Sequence, residues 1–255
     1  MKKREFLKRA AALTSLAVLP SPVWSLDRKK ILFLISFLLF SCNSNVQSES
    51  EWINLFDGSS ISGWLARDGS NLHSGWKIID GTLTLKKKGT EEDEKIDIIY
   101  GAEMYDNFEL YLEWKIPPGG NSGIFYHLQE SGGGSPEYQI IDDINYDSIH
   151  GISLTPLQKT GSDYGMYAAD PKMKILNPVG QWNSSKIIFT EENVEYWLNG
   201  NKVLSFTPWS DEWYEKKNNS MWRDNKDYGE FKTGYIGFQD YGNDLSFRNI
   251  KIKKL

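Results

Sequence analysis

One cysteine in 255 residues, Cys42, excludes an intramolecular disulfide and any cysteine-based metal cluster. Histidine is nearly as scarce, with only His73, His127 and His150. No apolar run reaches the roughly 20 residues that a comfortable membrane span needs. Basic side chains are scattered among acidic ones in a chain of net charge −5, so there is no electrostatic footprint for nucleic acid. A glycine-rich phosphate loop, a nucleophile elbow and a zinc motif are all missing, and no internal repeat is visible. Helical periodicity is sparse. What the chain has in quantity is aromatic side chains, including ten tryptophans, most of them after residue 50.

The first 50 residues read as targeting rather than fold. Residues 2–22 run from a basic start into a short apolar stretch and small residues, as a secretory signal does. A second basic stretch, Asp27-Arg28-Lys29-Lys30, leads into the apolar run Ile31 to Phe40 and then Ser41-Cys42. Leu39-Phe40-Ser41-Cys42 resembles a bacterial lipobox, which predicts cleavage before Cys42 and lipidation of its thiol. Two signals in tandem are what an upstream start codon would produce. Residues 1–42 are therefore expected to be a targeting segment, residues 43–50 a polar tether, and residues 51–255 one domain. The expected location is outside the cytoplasm, as a membrane-anchored lipoprotein held through lipid on Cys42, in the periplasm or on the outer membrane.

Within 51–255, alternation of period two dominates. Phe108 to Ile116 puts Phe, Leu, Leu, Trp and Ile on one face, and Glu109, Tyr111, Glu113 and Lys115 on the other. Trp76 to Leu85 reads as a hairpin turning at Asp80-Gly81, a favoured two-residue turn. Lys186 to Thr190, Val194 to Leu198 and Lys202 to Phe206 are further strands, the last two joined at Asn199-Gly200. Tyr235 to Gln239 and Leu245 to Lys253 close the chain. Ser210 is placed to cap one helix over Ser210 to Asn218. Many short strands with Gly, Asn and Asp turns predict an all-β jelly-roll sandwich of two antiparallel sheets with one short helix in a late loop.

Strand parity then sorts the polar candidates. It sends Ile124, Tyr126 and Leu128 to one face and Phe125 with His127 to the other. Glu137 and Gln139 point together, opposite Tyr138 and Ile140. Gln239 shares a face with Tyr235 and Gly237, opposite Ile236 and Phe238. Were these strands adjacent, their second faces would form a polar floor flanked by rings, suited to a sugar's hydroxyls and C–H face. His127 is the readiest general base, with Glu137 to orient it or replace it. A divalent ion on His127 and Glu137 is the cofactor reading that spacing leaves open. Asp143 to Ser148 mimics the start of a calcium loop but lacks its glycine and its terminal Glu, leaving only Asp142 or Asp143 to hold calcium elsewhere. The aromatic-rich stretch Thr207 to Thr233 serves either specificity or the capping of the core.

Six ordered segments resemble one known family. Asn54-Leu55-Phe56-Asp57-Gly58 with Ser62-Gly63-Trp64 is similar to the opening of the 3-keto-disaccharide hydrolase domain. Pro117 to Phe125, Glu137 to Asp142, Gly180-Gln181-Trp182-Asn183, Trp197 to Gly200, and Gly237 to Gly242 with Phe247 to Ile250 follow that family's order. The resemblance implies a concanavalin A-like sandwich, export, and action on glycosides oxidised to a ketone at C3. Two departures stand out: Tyr241 where many members have histidine, and Gln181 where they have glutamate.

A C3 ketone acidifies the C2 proton, so a base can remove it and the enolate can expel the C1 aglycone; water then adds to the enone. The expected roles are His127 or Glu137 as base, and Gln139 and Gln239, or a divalent ion, at the enolate oxygen. Asp142 or Asp240 would assist the leaving group. Phe125, Gln139, Asp142, Tyr164, Gln239 and Asp240 form the expected substrate-binding set. The alternative is a noncatalytic carbohydrate-binding lipoprotein on the same scaffold, which would bind glycan without turnover.

Overall fold

A computed structural model describes residues 51–86, 95–130, 132 and 134–255. The expected targeting segment and tether, Cys42, and most of the charged stretch between Lys86 and Lys95 lie outside the described residues. Thirteen strands in chain order build two antiparallel sheets: β1 Ile53–Phe56, β2 Trp64–Ala66, β3 Trp76–Ile79, β4 Thr82–Leu85, β5 Ile98–Tyr100, β6 Phe108–Lys115, β7 Asn121–Leu128, β8 Glu137–Ile141, β9 Asn183–Phe189, β10 Val194–Leu198, β11 Asn201–Phe206, β12 Tyr235–Phe238 and β13 Leu245–Lys254. The larger sheet runs β11-β10-β9-β6-β13-β4-β3, with β1 also on β13, and the smaller runs β2-β5-β12-β7-β8. The result is the jelly-roll sandwich that the alternation predicts.

Local sequence explains the main elements. Asp80-Gly81 and Asn199-Gly200 both take positive φ, as a tight turn matched to the twist of its flanking strands requires. β6 buries every second residue along its length, and its apolar face meets the smaller sheet. Between the sheets lie Phe108, Trp114, Tyr126, Tyr138, Tyr196, Phe238 and Phe247, with Phe238 stacked on Phe247 at 4.0 Å. Fully burying such a ring contributes about 1.5–3 kcal/mol. Trp114 also donates its indole N–H to Ser185 Oγ at 2.8 Å, so Trp114→Ala would leave a cavity and remove one of the hydrogen bonds of that hydroxyl.

The expected helix is present as Asp211–Asn218 (α2), with Ser210 Oγ accepting from Trp213 N–H. Acidic Asp211 and Glu212 open it, and Lys216 and Lys217 close it, complementing its dipole. A one-turn helix, Tyr146–His150 (α1), and a 3₁₀ turn, Pro156–Gln158, occur in addition and were not foreseen from periodicity. Both are too short to carry a periodic signal. The stretch that imitates a calcium loop is the approach to α1.

Candidate active site

Strand pairing places the polar candidates in rows across the outer face of the smaller sheet. Leu65, Ile99, Gly237, Phe125 and Glu137 pair in sequence across all five strands. In the next row Gln239 donates its N–H to Gly123 O at 2.9 Å, and Gly123 pairs with Gln139. Two glycines at the centre make a depression. Glu137 fills part of it so closely that a Cβ on Gly123 would sit 1.9 Å from Glu137 Oε1. Glycine is required there by approach, not by backbone angle.

A cavity of about 230 Å³ opens on this floor, lined by Asn121, Glu137, Gln139, Ile141, Tyr146, Ile152, Leu154, Gln158, Tyr164, Gln239 and Tyr241. Among the described residues, three buried oxygens in it have no hydrogen-bond partner: Asn121 Oδ1, Glu137 Oε1 and Gln239 Oε1. Orphaned buried polar atoms cost about 1–3 kcal/mol each and normally find partners. Three converging on one cavity mark a ligand site.

The other groups are held in order. Gln139 Oε1 accepts from Ile140 N–H, which leaves its amide nitrogen as the end available to a ligand. Gln158 Nε2 donates to the Tyr164 hydroxyl at 3.4 Å, so that hydroxyl's own proton is free to point elsewhere. Residues 161–164 run beside β8, with Gly161 N–H donating to Gln139 O and Tyr164 N–H to Glu137 O, which brings Tyr164 to the rim.

Burial pushes the Glu137 carboxyl up to about 8, and the charges of Asp97 and Asp163 add to the push. Asp97 lies just before β5, in register to continue the row of Gln239. Its Oδ1 accepts from Asp240 N–H, and desolvation raises its carboxyl above the ordinary range. Asp163 is buried on the far side of β8, accepts from the Tyr228 hydroxyl, and is raised by burial to about 7.

The family profile described as a 3-keto-alpha-glucoside-1,2-lyase-like domain matches residues 51–253. The chain belongs to that family. It is 31% identical to a 3-keto-disaccharide hydrolase of Bacteroides thetaiotaomicron over 231 residues, covering 80% of this chain and 78% of the relative. A crystal structure from Parabacteroides distasonis, assigned by inference as a glycosyl hydrolase, is 37% identical. It superposes with a TM-score of 0.71, covering 80% of this chain and 94% of that one. A second P. distasonis structure with the same assignment is 26% identical, with a TM-score of 0.61, covering 80% and 100%. Family membership puts this chain among the glycoside hydrolases and lyases.

This member of the 3-keto-alpha-glucoside-1,2-lyase-like family keeps Glu137, Gln139, Tyr164 and Gln239 together at the cavity, with Phe125 directly across from Glu137 in register. His127 is not with them. Tyr126 and His127 together oppose the single residue Ile236, between the pairs Phe125–Gly237 and Leu128–Tyr235. His127 carries the extra residue of this bulge at φ +50°. The bulge reverses parity: Leu128 joins Phe125 outside, and His127 turns inward among Phe108, Tyr126 and Phe189, the last at 4.4 Å. Its Nε2–H donates to Asp106 O, and burial holds the imidazole below its ordinary pKa. His127 and Glu137 face opposite sides of the sheet and cannot share an ion. Among the described residues no group of three potential ligands converges on a metal position.

Asp142 and Asp240 are also corrected from reacting groups to structural ones. Asp142 receives the N–H groups of Gly119, Ile144 and Asn145 and the Asn145 amide. Desolvation works against its charge, but those hydrogen bonds outweigh it and hold the carboxyl low. It ties the Pro117-Pro118-Gly119-Gly120 corner to the end of β8 and so positions Asn121. Asp143 is engaged by Lys174 and Thr160 N–H. Gly75 N–H donates to His73 Nδ1, so His73 Nε2–H donates to Asp240 Oδ2 at 3.1 Å; Asp240 also takes the Gly242 N–H.

Asn121, Tyr146, Gln158 and Asp97 were missed because Asn121 opens β7 straight after a corner, Tyr146 and Gln158 come from single helical turns, and Asp97 precedes a three-residue strand. Of the two departures, Tyr241 lines the cavity beside Tyr146, with Lys95 Nζ 4.7 Å from its ring centre. Gln181 is exposed in a turn and does not line it. In the loop 207–233, Trp213 and Tyr228 cap the core, while Trp222 stacks on Tyr228 and donates to Tyr164 O, bracing the rim from behind.

Proposed function

We propose that this chain cleaves 3-keto-glycosides by removing the C2 proton, expelling the C1 aglycone and hydrating the enone. The observation that carries this reading is the set of three unpartnered oxygens around Glu137 in one sugar-sized cavity. The cavity is smaller than the roughly 300–1,000 Å³ typical of sites that enclose drug-sized ligands, so it suits one ring with the aglycone at the mouth. Asn121 Oδ1 and Gln239 Oε1 accept sugar hydroxyls. Glu137 is the base: a carboxylate with a raised pKa is a stronger proton acceptor, and its value sits near working pH. The Gln139 amide N–H supports the charge that develops on the C3 oxygen. The Tyr164 hydroxyl supplies a proton to the departing oxygen. Ile152, Leu154 and Tyr241 at the mouth meet the aglycone.

The balance is closed without an external oxidant. The C2–H electrons form the enolate, the C1–O bond breaks, the leaving oxygen takes a proton, and water restores the hydroxyl at C1 and the hydrogen at C2. The experiment compares a 3-keto-glucoside with the unoxidised glucoside. Turnover of the first alone, reduced about 100- to 10,000-fold in Glu137→Gln, is expected. Equal turnover of both, or an unaffected variant, would overturn the reading. The same proposal has the enzyme exported and lipid-anchored, supported by the basic-then-apolar run before Cys42. Failure of Cys42 to incorporate labelled fatty acid in cells would remove that part.

A further inference from the structure

The outer face of the larger sheet, on the opposite side of the sandwich from the catalytic cavity, carries an alternating row. Lys202 pairs with Trp197, Trp197 with Lys186, Lys186 with Tyr111, and Tyr111 with Lys251, crossing β11, β10, β9, β6 and β13. The lysines thus stand on every second strand, about 10 Å apart, with an aromatic ring on each strand between. The ammonium groups rest over the rings: Lys186 Nζ is 4.3 Å from the Trp197 ring centre, and Lys251 Nζ 5.3 Å from that of Tyr111. Lys251 also lies 4.7 Å from the ring of Trp52, and among the described residues it makes no ion pair.

This face is locally positive on an acidic chain. On these five strands Lys115, Lys186, Lys202, Arg248, Lys251 and Lys253 stand against Glu109, Glu113 and Glu195. The three carboxylates are consumed in pairs with Lys186, Lys253, Arg248 and Lys202, which among the described residues leaves Lys115 and Lys251 held by rings alone. A concave space of about 440 Å³ opens at the middle of the row, lined by Tyr111, Ser184, Lys186, Trp197 and Gly200.

We propose that this row binds an acidic polysaccharide in which carboxylated sugars alternate with neutral ones. A neutral pyranose lays its C–H face on Trp197 or Tyr111, and the flanking carboxylates draw Lys186 and Lys251 off the ring faces that they now cover, while Lys202, paired with Glu195, stands at the end of the row. The alternation of cation and ring matches a disaccharide repeat lying across the strands. A membrane surface would instead engage protruding rings, and this face is concave at its centre. Because the chain as a whole is negative, general electrostatics repels a polyanion, so attraction must come from a local match.

The test is affinity electrophoresis of the full chain in gels containing hyaluronan, which alternates glucuronate with N-acetylglucosamine, or neutral dextran. Vesicles containing phosphatidylserine form a third arm. Retardation by hyaluronan alone is expected, weakened about tenfold in the Lys186→Gln/Lys251→Gln double variant and by added salt. Trp197→Ala should weaken it as well. The double variant changes half-exposed side chains and guards against misfolding, which a thermal melt monitors. No hyaluronan retardation, equal retardation by dextran, an unchanged double variant, or stronger capture by vesicles would each overturn the proposal.

Discussion

Replacing Gly123 by alanine tests the site through a residue that contributes no chemistry. The added methyl would lie 1.9 Å from Glu137 Oε1, 2.6 Å from Cδ and 2.7 Å from Cγ. Ordinary contact between heavy atoms needs about 3.5 Å, so the carboxylate must move by roughly 1.5 Å. A misplacement of about 1 Å at a reacting group costs on the order of 100-fold, so kcat/KM on a 3-keto-glucoside should fall by at least that factor. Overpacking of this kind costs about 1–3 kcal/mol, which lowers Tm by roughly 3–10 °C in a domain of this size. Steady-state kinetics and a thermal melt on the same preparation separate the two effects. Adding Glu137→Asp, which shortens the crowding side chain, should return part of the lost Tm. A folded Gly123→Ala protein with wild-type kcat/KM would refute the claim that Glu137 acts from this position.

The raised pKa of Glu137 predicts two pH dependences. As base it acts when ionised, so kcat/KM should climb about tenfold per pH unit and level off above about 8; a profile flat from pH 5 to 8 would contradict this. In the unfolded chain Glu137 ionises near 4.5, whereas the folded chain keeps it protonated up to about 8. Stability is therefore undiminished by this group below about pH 4.5, declines as pH rises, and levels off above about 8. Melts across that range should show a shallower decline for Glu137→Gln, with a residual slope below about pH 7 from Asp163. His127→Ala should lose about 2–4 kcal/mol through its ring contacts and the Asp106 carbonyl left without its donor. The shape of its pH–rate profile should not move, and a shifted profile would return His127 to the chemistry.

Much of the fold was legible because it is written locally. Phe108 to Lys115 alternates without a break, and Asp80-Gly81 and Asn199-Gly200 each specify their turn. Glu137, Gln139 and Gln239 were legible as one face because β8 and the end of β12 hold their alternation. His127 was not. Its bulge is set across the strand gap, where Gly234 lets the two chains approach so closely that a Cβ there would lie 2.3 Å from the His127 carbonyl carbon. Asp142 looked reactive because carboxylates in polar loops do chemistry, yet its hydrogen-bond donors come from a corner more than twenty residues away and from the turn that follows it. Asn121, Tyr146 and Gln158 meet only in the folded chain.

Proton removal at C2 by Glu137 is the central claim, and an isotope at that carbon tests it most directly. A 3-keto-glucoside carrying deuterium at C2 should release that label to solvent with a primary isotope effect on kcat/KM, at a rate that collapses in Glu137→Gln. Aglycone release that leaves the deuterium on C2 would contradict the account.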